Sequence, residues 1–85
     1  MEDKPLFVTI HDRSGAVFEG NAVTLSSYNQ KGKFDVLTEH ANFITLIQQE
    51  IIIIKPDGSQ KKVTVGNGVM RVLGSTVDIY LGVKK

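Results

Sequence analysis

Eighty-five residues, 41% of them apolar, with ten Lys and Arg against nine Asp and Glu, describe one small globular domain spanning residues 1–85. A net charge of +1 provides no field that would gather nucleic acid, and the lack of cysteine excludes disulfides and thiolate metal sites. No apolar run approaches the roughly 18 residues of a membrane-spanning helix, and the opening MEDKPLFVTI has no apolar core long enough for a secretory leader. A chain of this size buries only about 60–65% of the surface its unfolded form exposes, so contacts with partners would add to a modest core.

The dominant sequence period is two. Leu6, Val8 and Ile10 alternate with Phe7, Thr9 and His11, which predicts a strand, and DRSG (residues 12–15) predicts the turn after it. Ala16 to Glu19 predicts a short strand ending at Gly20-Asn21. Val23, Leu25 and Ser27 form the apolar side of the next, and YNQKGK (residues 28–33) is a polar loop. Phe34 to Leu37 and Phe43 to Ile47 predict strands on either side of TEHAN (residues 38–42), where the alternation breaks.

Ile51 to Ile54 is a β-branched run whose two faces both demand cover. KPDGSQ (residues 55–60) closes a hairpin, with Pro56 setting φ and Asp57-Gly58 making the turn. Lys61 to Val65 returns. GNG (residues 66–68) predicts a bend or bulge where backbone passes closely. Val69 to Leu73 and Thr76 to Val83 complete the chain. No segment holds a 3.6-residue period over a helical length. The expectation is an all-β flattened sandwich or barrel of about eight to ten short, mostly antiparallel strands.

The reactive side chains are few. Glu39 and His40 are adjacent and would point to opposite faces of a strand, and Ser26 and Ser27 lack the sharp turn of a nucleophile elbow, so no catalytic set is expected. His11 and Asp12 could join Glu39 and His40 around a metal only across long sequence separations. The simpler reading makes Asp12 a turn residue that accepts backbone N–H groups. GNG lacks the following helix a phosphate loop requires. Phe7, Phe18, Phe34 and Phe43, each on a separate strand without interleaved basic residues, are expected in the core. No metal and no cofactor is expected.

The order of these features resembles the β-sandwich domain of the epsilon subunit of the rotary ATP synthase. GAVFEGNAVTL is similar to that family's opening. GKFDVLTEHANFITLI resembles its Gly- and Pro-rich stretch around a His-Ala pair, followed by an aliphatic strand. The Ile strand, KPDGSQKKV, GNGVMRV and STVDIYL follow in family order, so the resemblance runs from about Leu6 to Val83. Asp35, Thr38, Glu39 and Asn42 stand where the family usually has Gly, Pro, Gly and Pro. Gln49-Glu50 replaces a Pro-Gly, and Lys33 replaces a frequent acid.

The resemblance implies a non-catalytic rotor subunit in the central stalk, linking the gamma subunit to the membrane-embedded ring of c subunits in proton-driven ATP synthesis. It implies a complex peripheral to the membrane, on the cytoplasmic face of the bacterial inner membrane or its organelle equivalent, with no lipid insertion and no nucleic acid bound. Asn29, Gln30, Lys31, Gly32 and Lys33 match the loop that meets the c ring, and Thr38, Glu39, His40, Ala41 and Asn42 match the gamma–ring junction. Phe43, Ile44, Thr45, Ile52 and Ile54 are the expected apolar contacts with gamma. The family's two-helix C-terminal arm, which carries its inhibitory reach, is not expected within this sequence. The alternative reading is a stand-alone β-sandwich binding module for a small ligand or protein partner, which exposed Tyr28 and Tyr80 lining one face would favour.

Overall fold

A computed structural model describes residues 5–36 and 41–82 of the chain. Among these residues all regular structure is strand: β1 (Leu6–Asp12), β2 (Gly15–Ala22), β3 (Thr24–Asn29), β4 (Gly32–Val36), β5 (Ala41–Ile54), β6 (Gln60–Gly74) and β7 (Thr76–Leu81). The strands hydrogen-bond in the order β2-β1-β7-β6-β5-β3-β4. Every pairing is antiparallel except β1 with β7.

The all-β sandwich expected from the period-two pattern is the observed architecture. The strand count is lower than eight to ten because two pairs of expected strands are continuous. Phe43–Ile47 and Ile51–Ile54 both lie in β5, and Lys61–Val65 and Val69–Leu73 both lie in β6. Bulges join each pair without ending the ladder. On β6, Gly66 and Asn67 fall between the pairs Ile47–Gly68 and Gln49–Val65, while the β3–β5 register shifts between Ser26 and Tyr28. A bulge bends and twists the strand that carries it. The sheet therefore folds across the middle of the β5–β6 hairpin into two layers.

The first layer is β2-β1-β7 with residues 68–74 of β6 and 41–47 of β5. The second is residues 60–65 of β6 and 48–54 of β5, with β3 and β4. The inner faces meet in one core. Leu6, Val8, Ile10, Met70, Val72, Val77 and Ile79 come from the first layer, and Leu25, Val36, Ile51, Ile53 and Val65 from the second. Ile10, Ile51, Ile53 and Ile79 are fully buried, which a single uncovered sheet could not achieve.

Two residues at the fold line explain why the bend is tolerated. A Cβ added at Gly68 would lie 2.8 Å from the Tyr80 carbonyl oxygen and 3.0 Å from Leu81 Cδ2, the close backbone approach that GNG predicts. Ser27 is fully buried, and its hydroxyl donates to the Glu50 carbonyl at 2.8 Å, which satisfies an acceptor inside the β5 irregularity. Gln49 takes φ = 73°, the one non-glycine residue with positive φ among the described residues. An L-residue with a Cβ pays roughly 1–2 kcal/mol for that region.

Candidate functional site

Strand alternation gives each layer an outer face, and the two faces differ. On the first layer, the register places Asn42, Leu73, Thr76 and Phe7 in one row. Ile44, Arg71, Asp78, Thr9 and Glu19 form the next, and Leu46, Val69, Tyr80 and His11 the third. Ile44 and Leu46 are each 67% exposed, and Leu73, Tyr80 and Phe7 are about half exposed. These five account for most of the exposed large hydrophobic residues among the described residues. The face is apolar around one ion pair, Arg71 Nη2 to Asp78 Oδ2 at 3.2 Å. His11 stacks on Tyr80 with ring centroids 5.3 Å apart.

The outer face of the second layer is polar. Thr24, Ser26, Tyr28, Asp35, Lys33, Lys62 and Thr64 share it with the half-buried Ile52 and Ile54. The Ser26 hydroxyl donates to Asp35 Oδ1 at 2.5 Å. Tyr28 and Tyr80 thus lie on opposite outer faces and form no common platform.

The turn between β3 and β4 borders the apolar face. Asn29 Oδ1 accepts the Lys31 N–H at 2.9 Å, and Asn29 Nδ2 donates to Thr45 Oγ1 at 3.3 Å, which ties the turn to β5. Between turn and strand runs an open groove of about 480 Å³ lined by Asn29, Gln30, Lys31 and residues 43–46. A second groove of about 360 Å³ lies on the other side of Ile44, between Asn42, Phe43, Arg71 and Leu73. Ile44 is therefore a ridge between two shallow depressions, each with a cation at its rim. Asn42 Oδ1 accepts the Gly74 N–H at 3.0 Å, fixing the end of β5 against the β6–β7 turn.

Of the residues expected to meet the ring, Asn29, Gln30 and Lys31 line the first groove, while Lys33 on β4 pairs with Tyr28 at the second layer. The residues expected to meet gamma separate. Ile44 lies on the first outer face. Phe43 and Thr45 point to the inner side, where the Phe34 and Phe43 rings meet edge to face with centroids 6.4 Å apart, and Ile52 and Ile54 belong to the second outer face. Thr38, Glu39 and His40 lie outside the described residues, so any pairing or metal role for them has no geometry here.

The four phenylalanines are not all core, as their even spread had suggested. Phe18 and Phe34 pack against it, but Phe7 points out of β1 and Phe43, though on the inner side, stays 36% exposed. Asp12 is a turn residue, accepting the Ser14 N–H and hydroxyl at 2.8 and 2.9 Å. Those bonds, the backbone one first, hold its carboxyl below the usual value.

The model of one protein family, described as ATP synthase, Delta/Epsilon chain, beta-sandwich domain, matches residues 5–81. The chain belongs to this family. Among curated delta/epsilon-family relatives, the ATP synthase epsilon chain of Sulfurimonas denitrificans is 35% identical over 60 residues, covering 69% of this chain and 46% of the relative. The epsilon chain of Helicobacter acinonychis is 32% identical over 65 residues, covering 76% and 53%, and that of Endomicrobium trichonymphae 31% over 72 residues, covering 85% and 52%. The chain spans about half the length of these curated relatives.

A chain of the Euglena gracilis mitochondrial ATP synthase OSCP/F1/c-ring structure superposes with a TM-score of 0.84 at 14% identity, covering 95% of this chain and 57% of that one. A chain of the Tetrahymena thermophila mitochondrial ATP synthase central stalk and c-ring superposes with a TM-score of 0.72 at 8% identity, covering 95% and 66%. At these identities the likeness is one of fold.

Of the positions where this sequence departs from the delta/epsilon family pattern, two have local partners of their own and a third lies at the bulge. Asp35 is held by Ser26, and Asn42 receives the Gly74 N–H. Gln49 adopts the positive φ at the bulge. Leu46, Leu73, Phe7 and Tyr80, the rest of the apolar face, were not among the residues expected to contact gamma or the ring. Their signal was present in strands whose inward- and outward-facing positions are both apolar, but periodicity alone cannot say which parity is buried.

Proposed function

We propose that this domain is a non-catalytic element of the rotor's central stalk in a rotary ATP synthase. It links the gamma subunit to the membrane c ring during proton-driven ATP synthesis and is peripheral to the membrane on the cytoplasmic side. The observation that carries this reading is the family match across residues 5–81. The surfaces support it. A transmitting element requires a stiff body and complementary contacts, and a two-layer sandwich braced by one continuous hydrogen-bonded sheet resists shear between its layers.

On this reading Asn29, Gln30, Lys31, Gly32 and Lys33 form the ring-facing loop, with the lysines set against carbonyl or acidic groups. Ala41 and Asn42, with Thr38, Glu39 and His40, form the gamma–ring junction. Phe43, Ile44, Thr45, Ile52 and Ile54 are the starting set for gamma contact. The test is co-purification of this chain with the gamma subunit of the same organism, followed by assembly of the pair on the c ring. Stable association with gamma, and weaker ring assembly for Lys33→Glu, is the expected result. A folded, monodisperse chain that does not associate with gamma would refute the stalk role.

A further inference from the structure

We propose that Asn67-Gly68, inside the GNG bend of β6, is a site of covalent modification, at which Asn67 deamidates through a cyclic imide and the isoaspartate formed loosens the joint between the layers. The inference stands on the chemistry of the chain itself and does not rest on the stalk reading. Asn67 is exposed, and of the four asparagines it alone precedes a glycine. A glycine presents its backbone nitrogen with no Cβ beside it, which leaves attack on the preceding side chain unhindered. The fold requires that glycine, since a Cβ at residue 68 would meet the Tyr80 carbonyl oxygen at 2.8 Å. The close approach that builds the joint therefore places a reactive pair within it.

The hydrogen bonds single out the same residue. Asn29 is held by Lys31 and Thr45, and Asn42 by Gly74, whereas no side-chain bond holds Asn67 among the described residues. Asn21 also has none, but it precedes Ala22. Gly66 and Asn67 have no partner on β5, and the β6–β7 ladder begins only at Gly68. The Asn67 carbonyl accepts the Gly82 N–H at 3.1 Å, just beyond the end of β7. A ladder end opens locally at far lower free energy than the whole domain. Ring closure needs that opening, because an extended strand keeps the Gly68 nitrogen away from the Asn67 side chain. In the step, the Gly68 nitrogen loses its proton and bonds to Asn67 Cγ, and the amide nitrogen leaves as ammonia. Water then opens the imide at either carbonyl, giving aspartate or isoaspartate. The other such dipeptide, Asp57-Gly58, is guarded. The Gly58 N–H donates to the Lys55 carbonyl at 2.9 Å, and Asp57 Oδ1 accepts both the N–H and the hydroxyl of Ser59.

The test is peptide mapping of the folded chain by mass spectrometry during incubation in mildly alkaline buffer, with the chain in urea as reference. In the folded chain Asn67 should convert at least tenfold faster than Asn21, Asn29 or Asn42, more slowly than in urea, and mostly to isoaspartate. Conversion of Asn21 at an equal rate would overturn the choice of site. So would an Asn67 that stays intact in the folded chain while it converts fully in urea. Aspartate without isoaspartate would overturn the imide route. The isoaspartate form, separated by its added negative charge, runs its main chain through an extra methylene and should melt below Asn67→Asp, which adds the charge alone. Equal melting of the two would overturn the loosening of the joint.

Discussion

The two ends of β5 carry similar residues and present them to different surroundings. Ile44 and Leu46 stand out from the first layer into solvent, whereas Ile52 and Ile54, on the same side of the same strand, lie half-buried on the second. What separates them is the bend at Ile47–Gln49, which turns one ladder into two layers with unlike outer faces. Local composition therefore does not tell which apolar residues the fold covers and which it leaves exposed. The position of the bulges does.

The comparison breaks most sharply if inner and outer isoleucines of β5 are exchanged for alanine in turn. Ile51→Ala removes a fully buried side chain and should cost about 3 kcal/mol in chemical denaturation. Ile44→Ala should change stability by less than about 0.5 kcal/mol. Equal losses would mean that the first outer face is covered within the chain itself. The joint comes next. Gly68→Ala drives a Cβ toward the Tyr80 carbonyl and should cost about 1–3 kcal/mol, with a lowered Tm. An unchanged Tm would show that the two backbones can separate there at no cost.

The joint is also where the sequence was least legible. The alternating strands, the Asp12 and Asp57 turns and the close approach at GNG could all be read from residue types, because each depends on the residue's own conformational limits. The continuity of β5 and β6 could not, since a bulge keeps hydrogen bonds running through a stretch where alternation fails. Gln49 gave no warning of its left-handed backbone, because glutamine has no preference for it. FITLI (residues 43–47) is apolar at both parities, so Phe43, Ile44 and Thr45 read as one contact set although neighbouring side chains face opposite sides. The family resemblance supplied a role and a list of surfaces, and the layering divides that list.

A smaller effect sharpens the account of the bend. Gln49→Gly should stabilise the domain by about 0.5 kcal/mol, the relief of positive φ being partly offset by the greater freedom of glycine in the unfolded chain. Destabilisation would mean that the Gln49 side chain supports the bulge. The smallest effect lies in the hairpin that continues β5 into β6. Asp57 Oδ1 accepts the Ser59 hydroxyl at 2.7 Å and N–H at 2.8 Å, which hold its carboxyl below the ordinary 3.8. A folded-state pKa that is depressed contributes stability above the unfolded value, and that contribution disappears as pH falls through the folded one. The parent should therefore be slightly more stable than Asp57→Asn at neutral pH, and the difference should shrink as pH falls below the ordinary carboxylate range. A difference that grows on acidification would contradict the sign.

The most direct measurement is hydroxyl-radical footprinting of the chain with and without bound gamma, read side chain by side chain by mass spectrometry. The stalk reading predicts that gamma protects side chains of the expected contact set, Phe43, Ile44, Ile52 and Ile54 among them. Unchanged oxidation of all four in the bound state would contradict it.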